Sequence, residues 1–261
     1  MIIGIHSIAA FKKQRTGVEE YTFQLIRHLA MLPEAREHRF LLYTFYNQKS
    51  EIYNLPDNFE IRILRSPLLW TQFRLSLEML KKECDVLFIP AHVLPIIHPK
   101  NSVVAIHGLE YEYFPEYYPF WFKKYLRWAT KYSVRRAKKI IAVSENTKKD
   151  LVKFYGIDEK KIKVIYHGAE KLEILNSKSE TNTKYILYIG RIELKKNIVG
   201  IIKAFEIFKE KYKLPHKLVL VGLPGFGYKD TKYHIQNNKY KNDIVETGYL
   251  NEKEALFQNA S

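Results

Sequence analysis

The sequence predicts an α/β chain of two doubly wound, parallel-sheet domains, the second incomplete. Three observations carry this reading. Short apolar runs alternate with stretches of helical periodicity along the chain. Within the runs the apolar residues are near-continuous, the pattern of strands covered on both faces. The alternation breaks once, at a polar segment, and then resumes. The expected boundaries are residues 1–170 for the first domain, 171–183 for a linker and 184–261 for a partial second domain.

Met1–Ile5 reads as the first strand. Thr16 or Gly17 then opens a helix with Val18, Tyr21, Leu25, Ile26 and Leu29 on its apolar face. Residues 39–46 and 59–64 are the next strands. A helix over 67–82 should turn Leu68, Leu69, Phe73, Leu77 and Leu80 inward. Short strands follow at 86–90 and 102–107, then an aromatic and basic stretch from Tyr117 to Lys139. A strand at 139–144 leads to a helix capped by Asn146 and ended by Gly156. Residues 163–166 form one more strand, leading to His167-Gly168. Past the linker come strands at 185–189, 217–222 and 243–247, helices at 197–212 and 229–240, and the start of another at Glu252. Doubly wound domains usually have five or six strands. Two or three further βα units of roughly 30 residues each are therefore expected beyond Ser261, in a longer parent protein.

The stretch from Lys184 to Asn197 has the strongest chemical character. Five apolar residues, Tyr185–Ile189, predict a strand buried on both faces, ended by Gly190. Asn197 can cap the following helix. Arg191, Lys195 and Lys196 thus stand beside a helix N-terminus, a setting suited to phosphate or diphosphate. Taken alone, the same charges read as well as ordinary solvated loop residues.

The chain has 261 residues, 46% hydrophobic, with 19 Tyr and 15 Phe, so extensive disorder is excluded. Its one cysteine, Cys84, rules out an internal disulfide or a multi-cysteine metal site and reads as a small core residue. A formal net charge of +15 calls for an anionic partner: nucleic acid, an acidic membrane surface or a phosphorylated substrate. Nothing in the sequence resembles a signal peptide or a membrane span, so a cytoplasmic location is expected. In the stretch 117–139, Trp121, Tyr125, Trp128 and Tyr132 recur at spacings of four, three and four. Such a stripe most simply packs on the core with its lysines and arginines wet. A membrane face ranks second and a nucleic-acid surface last, for want of a nucleic-acid motif.

In combination the motifs resemble the retaining family 4 glycosyltransferases, of mannosyltransferase-like group 1 type, with their two Rossmann-like domains in the GT-B fold. The motifs are Thr16-Gly17-Val18-Glu19-Glu20-Tyr21, Ile106-His107-Gly108-Leu109 and Phe114-Pro115-Glu116-Tyr117-Tyr118. They continue with Ile141-Ala142-Val143-Ser144-Glu145-Asn146, Lys163-Val164-Ile165-Tyr166-His167-Gly168-Ala169 and Gly190-Arg191 with Lys196. Leu218-Val219-Leu220-Val221-Gly222 and Thr247-Gly248-Tyr249-Leu250 complete the series.

The resemblance implies transfer of a hexose, with mannose the family-level lean, from a GDP- or UDP-linked donor to a glycan or lipid-linked acceptor of an envelope polysaccharide. Arg191 and Lys196 would grip the donor diphosphate, with Gly17, Gly190, Gly222 and Gly248 on the donor side. His107 would lie near the transferred sugar; a histidine closing a strand is the plainer alternative. Gly17 reads equally as a helix-start glycine. No metal and no cofactor other than the nucleotide-sugar substrate is implied. Where the family often has Asp after the histidine, this chain has Gly108, and the family's glutamate pair falls past Thr247-Gly248-Tyr249, beyond Ser261. The rival expectation is an inactive fragment or a scaffold on the membrane surface. Either protein would be cytoplasmic, peripheral on the inner face of the cell membrane, without nucleic acid as partner.

Overall fold

A computed structural model describes residues 1–46, 55–66, 69–91, 93–169, 184–250, 256–257 and 260. Contacts divide the chain into two compact units, one of Met1–Pro115 with Pro119–Gly168 and one of Glu116–Tyr118 with Ala169–Ser261. The polar segment 171–183 and the helix expected from Glu252 lie outside the described residues, apart from Leu256 and Phe257.

In the first unit seven strands run parallel: β1 (Ile2–His6), β2 (Arg39–Thr44), β3 (Phe59–Ile63), β4 (Val86–Ile89), β5 (Ser102–Ile106), β6 (Lys139–Ala142) and β7 (Ile162–Val164). Their order, β3-β2-β1-β4-β5-β6-β7, reverses between β1 and β4. Doubly wound sheets open a crevice at the carboxyl ends of their strands at such a reversal. Leu41, Leu42 and Tyr43 on β2 are consecutive and all buried, as expected where helices cover both faces. The helices are α1 (Gly17–Met31), α2 (Ser76–Met79), α3 (Glu110–Tyr113), α4 (Phe120–Arg136) and α5 (Glu145–Tyr155). On α1 the fully buried positions are Thr22, Phe23 and Ile26, one step round from the expected face. Phe23 and Ile26 pack with Ile5, Phe40 and Leu42 in one core. Ser144, not Asn146, caps α5: its Oγ accepts the Thr147 amide at 3.1 Å. Gly156 ends that helix in the left-handed region.

Two expected core faces are turned outward. Over 67–82, Leu69, Phe73, Leu77 and Leu80 are exposed, Phe73 by 61%, and Leu68 lies outside the described residues. The cause is a π-helical turn, Thr71–Leu75, ahead of α2, closed by the Leu75 amide on the Trp70 carbonyl at 3.0 Å. The added residue per turn shifts the inward face to Trp70, Leu75 and Met79. Trp70 is anchored by its ring N–H on the Leu64 carbonyl at 2.6 Å. On α4, Trp121 is 77% exposed, and Tyr125 and Trp128 are exposed too. The helix instead buries Ala129, Thr130, Ser133 and Val134. Ser133 Oγ donates to the Ala129 carbonyl at 2.7 Å and accepts the Leu94 amide at 2.8 Å. Small side chains there let the helix approach closely, and bulky rings would hold it off.

The second unit holds β8 (Tyr185–Ile189), β9 (Lys217–Val221) and β10 (Ile244–Gly248), parallel and in the order β10-β9-β8. Its helices are α6 (Ile198–Tyr212) and α7 (Tyr228–Gln236). Ile198, Ile202 and Phe205 of α6 pack on Leu218, Leu220, Ile235 and Ile244. Contrary to expectation, β8 is only half-buried along its length. It stands at the end of the described sheet, whereas central β9 is buried from Leu218 onward.

Replacing an outward residue should cost little. Phe73→Ser and Trp121→Ser are each expected to leave unfolding free energy within about 0.5 kcal/mol. Leu75→Ala, one helix face away, should cost about 2–5 kcal/mol. Urea unfolding of the three variants checks this, and a large loss for Phe73→Ser contradicts the outward face.

Candidate functional site

In the second unit three glycines close three adjacent strands: Gly190 after β8, Gly222 after β9 and Gly248 at the end of β10. They lie in a row. The Gly190 amide donates to the Val221 carbonyl at 2.9 Å and the Gly222 amide to the Gly248 carbonyl at 2.8 Å. A Cβ on Gly222 would fall 1.8 Å from the Gly190 carbonyl oxygen, so no side chain fits there. Beyond the row, the turn 190–197 is laced to the loop after β9. Ile192 N–H donates to the Leu223 carbonyl, Gly225 N–H to the Ile192 carbonyl and Leu194 N–H to the Phe226 carbonyl, each at 2.9 Å.

This lacing fixes the path on which Arg191 and Lys196 sit. Both are exposed, and neither has an ion-pair partner among the described residues. Lys195, between them, is half-buried and lies 3.5 Å from the Glu193 carboxylate. Asn197 begins α6 from the left-handed region, and its Oδ1 accepts the Gly200 amide at 3.3 Å. Two unpaired cations therefore stand beside a row of strand ends and a helix N-terminus, an arrangement that can hold an oxyanion.

In the first unit the carboxyl ends of the strands gather aromatic and imidazole rings. His107 follows β5, and its Nε2 lies 2.7 Å from the Pro90 carbonyl, just past β4. A carbonyl only accepts, so Nε2 carries the proton, and in the neutral ring the lone pair is on Nδ1. The sequence pointed to His107 alone. The structure adds Tyr21 from α1 and His167 from beyond β7. Ring centroids are 4.7 Å apart for Tyr21 and His107, 5.0 Å for Tyr21 and His167, and 5.3 Å for the two histidines. The dipeptide His-Gly after two strands, at 107–108 and 167–168, was the available signal for the second imidazole. Burial lowers the His107 pKa, and charge on His167 lowers it further, against the Pro90 carbonyl and Glu110. Burial also pushes the Tyr21 hydroxyl up. At the end of β1, His6 bonds Thr71 Oγ1 at 3.0 Å, and burial holds its imidazole down at about 4.

Gly17 begins α1 behind Thr16, whose backbone N–H donates to the Glu19 carboxylate at 3.3 Å. Burial pushes the Glu19 carboxyl up, but hydrogen bonds from Lys12 and Thr16 outweigh it and keep it below the usual range. A Cβ on Gly17 would meet no protein atom within 4 Å, so nothing in the chain itself requires glycine there. Among the described residues no three His, Cys, Asp or Glu side chains are grouped to hold a metal ion. Nor is any described helix long and apolar enough to cross a membrane.

Comparison with known proteins gives the family and the fold. Residues 15–170 match the family described as Glycosyltransferase Family 4, and residues 170–261 that described as Glycosyl transferases group 1. The chain is 32% identical over 123 residues to the O-antigen chain mannosyltransferase RfbU of Salmonella typhimurium, covering 47% of this chain and 33% of that protein. It is 25% identical over 246 residues to the O-antigen chain mannosyltransferase B of Escherichia coli, covering 85% of this chain and 64% of the relative. The chain thus spans less than two thirds of the length of either. Among solved structures it superposes on WaaG, a glycosyltransferase involved in lipopolysaccharide biosynthesis. The TM-score is 0.70 at 12% identity, over 100% of this chain and 73% of that one. For Anabaena Alr3699/HepE, solved in complex with UDP-glucose, the TM-score is 0.67 at 17% identity, over 98% and 70%. These likenesses show the GT-B fold.

Two expectations follow from the site geometry. Gly222→Ala should destabilise the second unit by at least about 2 kcal/mol, while Gly17→Ala stays within about 0.5 kcal/mol. Urea unfolding decides, and a Gly222→Ala protein as stable as the parent contradicts the close approach. In a proton NMR titration His107 should have its midpoint below the ordinary value near ~6.5. His167→Asn should move that midpoint upward, since the repelling charge is gone, and an unmoved midpoint contradicts the coupling of the two rings.

Proposed function

This chain belongs to glycosyltransferase family 4, and from that membership we propose that it moves a hexose from a nucleotide diphosphate sugar to an envelope-polysaccharide acceptor. Mannose is the proposed sugar, on the strength of the two O-antigen mannosyltransferase relatives, carried on GDP or else UDP. The acceptor is a glycan or its lipid-linked precursor, held by the first unit. The work is done on the cytoplasmic side, at the inner face of the membrane.

In the net reaction the anomeric C–O bond to the diphosphate breaks and a bond to the acceptor oxygen forms on the same face. The acceptor hydroxyl proton ends on the departing diphosphate. Negative charge grows on that leaving group in the transition state, and preorganised donors lower the barrier most where charge develops. Arg191 offers a planar fork and Lys196 a point charge, so neither replaces the other. Together they fill the role a divalent cation fills in other phosphoryl-leaving reactions. His107, uncharged because burial lowers its pKa, is proposed to hydrogen-bond a hydroxyl of the transferred sugar.

The observation that carries this reading is the row of Gly190, Gly222 and Gly248 with Arg191 and Lys196 unpaired beside it. A second reading, a membrane-surface scaffold without activity, is favoured by the outward aromatic and cationic side chains of α4. A donor-hydrolysis assay separates them. In the full-length protein Arg191→Ala should lower turnover at least tenfold, about 1.4 kcal/mol of barrier, without loss of fold. Unchanged turnover removes the donor assignment.

A further inference from the structure

We propose that Glu110 is the positioning residue of His107: its carboxylate, folded back over Gly108, governs how strongly that imidazole accepts a hydrogen bond from a substrate hydroxyl. The proposal rests on the reading that His107 meets the transferred sugar.

Helix α3 is a single turn, Glu-Tyr-Glu-Tyr, too short to hold together alone. Three of its side chains fasten it to its neighbours. The buried Tyr111 hydroxyl donates to Thr130 Oγ1 on α4 at 2.9 Å and lies 3.2 Å from the Tyr155 hydroxyl on α5. The Glu112 carboxylate accepts from that Tyr155 hydroxyl and from Arg127 Nε on α4, each at 2.8 Å. The Tyr113 hydroxyl donates to Asp150 Oδ1 on α5 at 2.6 Å. Polar links satisfied in this way hold one geometry. The fourth side chain, Glu110, is exposed and reaches back along the chain toward Gly108. Its Oε2 lies 2.9 Å from the point that a Cβ on Gly108 would take. Apart from the adjoining residues, no other described residue comes within 4 Å of that point. Gly108 is not in the left-handed region, so its backbone would admit a side chain. The Glu110 carboxylate stands where that side chain would be.

His107 therefore has four groups around it. They are the Pro90 carbonyl at Nε2, the Tyr21 ring of α1, the His167 ring from past β7 and the Glu110 carboxylate of α3. Of these, Glu110 brings the negative charge. Burial and His167 lower the His107 pKa, and the Glu110 charge opposes them together with the Pro90 carbonyl. A more basic ring has a lone pair that accepts a hydroxyl proton more strongly. The fastening of α3 thus serves to hold one carboxylate beside one imidazole.

The test compares Glu110→Gln, Gly108→Ala and the pair. Each should keep the parent's unfolding midpoint in urea, since Glu110 is exposed and its carboxylate can swing away from a new methyl group. In a proton NMR titration of this chain, Glu110→Gln should lower the His107 midpoint by a few tenths of a pH unit. Gly108→Ala, which displaces the carboxylate without removing it, should lower the midpoint as well, and the pair no further than Glu110→Gln alone. In the full-length protein, Glu110→Gln should lower kcat by about threefold or more with donor KM unchanged. It should also move the acidic limb of the pH–rate profile to lower pH, because the ring stays neutral further into acid. A His107 midpoint unmoved by Glu110→Gln overturns the proposal, and so does a moved midpoint with unchanged kcat and pH profile. Additive falls in the pair overturn the contact over Gly108. His107→Asn separates the two failures. If it lowers turnover while Glu110→Gln does not, the proposal falls and the sugar contact stands. If it leaves turnover unchanged, the sugar contact falls and the proposal with it.

Discussion

The carboxyl ends of β8 and β9 come so close that Gly222 has no space for a single methyl group. Its hypothetical Cβ would overlap the Gly190 carbonyl oxygen at 1.8 Å. Much follows from that contact. With the strand ends in register, the turn after β8 can run alongside the loop after β9 and exchange backbone hydrogen bonds with it. The turn is thereby fixed without using any charged side chain. Arg191 and Lys196 are left available on a rigid path, which keeps the cost of ordering them for a ligand low.

A comparable economy governs the first unit. The parallel sheet demands cover on both faces, and α4 provides it with Ala129, Thr130, Ser133 and Val134. Because small residues do the packing, the large rings are released to the surface. The π-helical turn has the same consequence over 71–79. At the sheet's carboxyl edge, residues just past β4, β5 and β7 converge as Pro90, His107 and His167, and His6 ends β1 at the same edge. That edge is where the strand order lets a ligand approach.

Strand positions were legible because most buried parallel strands carry an apolar run, and each of the ten expected strands is found among the described residues, although β3 (Phe-Glu-Ile-Arg-Ile) alternates. The glycine row was legible in the same way, since each glycine ends a run. Helix faces were less so. Leu69, Phe73, Leu77 and Leu80 have flawless helical spacing, yet the i to i+5 bond at Trp70 rotates them outward. Spacing also could not tell that Ala and Ser on α4, rather than Trp and Tyr, make the contact with the core. His167 and Tyr21 escaped notice because they join His107 only through the fold, at sequence separations of 60 and 86 residues respectively. Arg191 and Lys196 drew weight from the resemblance; the local sequence alone did not separate them from Lys195, whose half-buried place beside Glu193 only the structure shows.

Equilibrium binding of a nucleoside diphosphate against the matching monophosphate tests the central claim most directly. If the turn after β8 grips a diphosphate, the chain binds the diphosphate at least about tenfold more tightly, the worth of roughly one charge-assisted contact. Equal affinity for the two nucleotides contradicts the account.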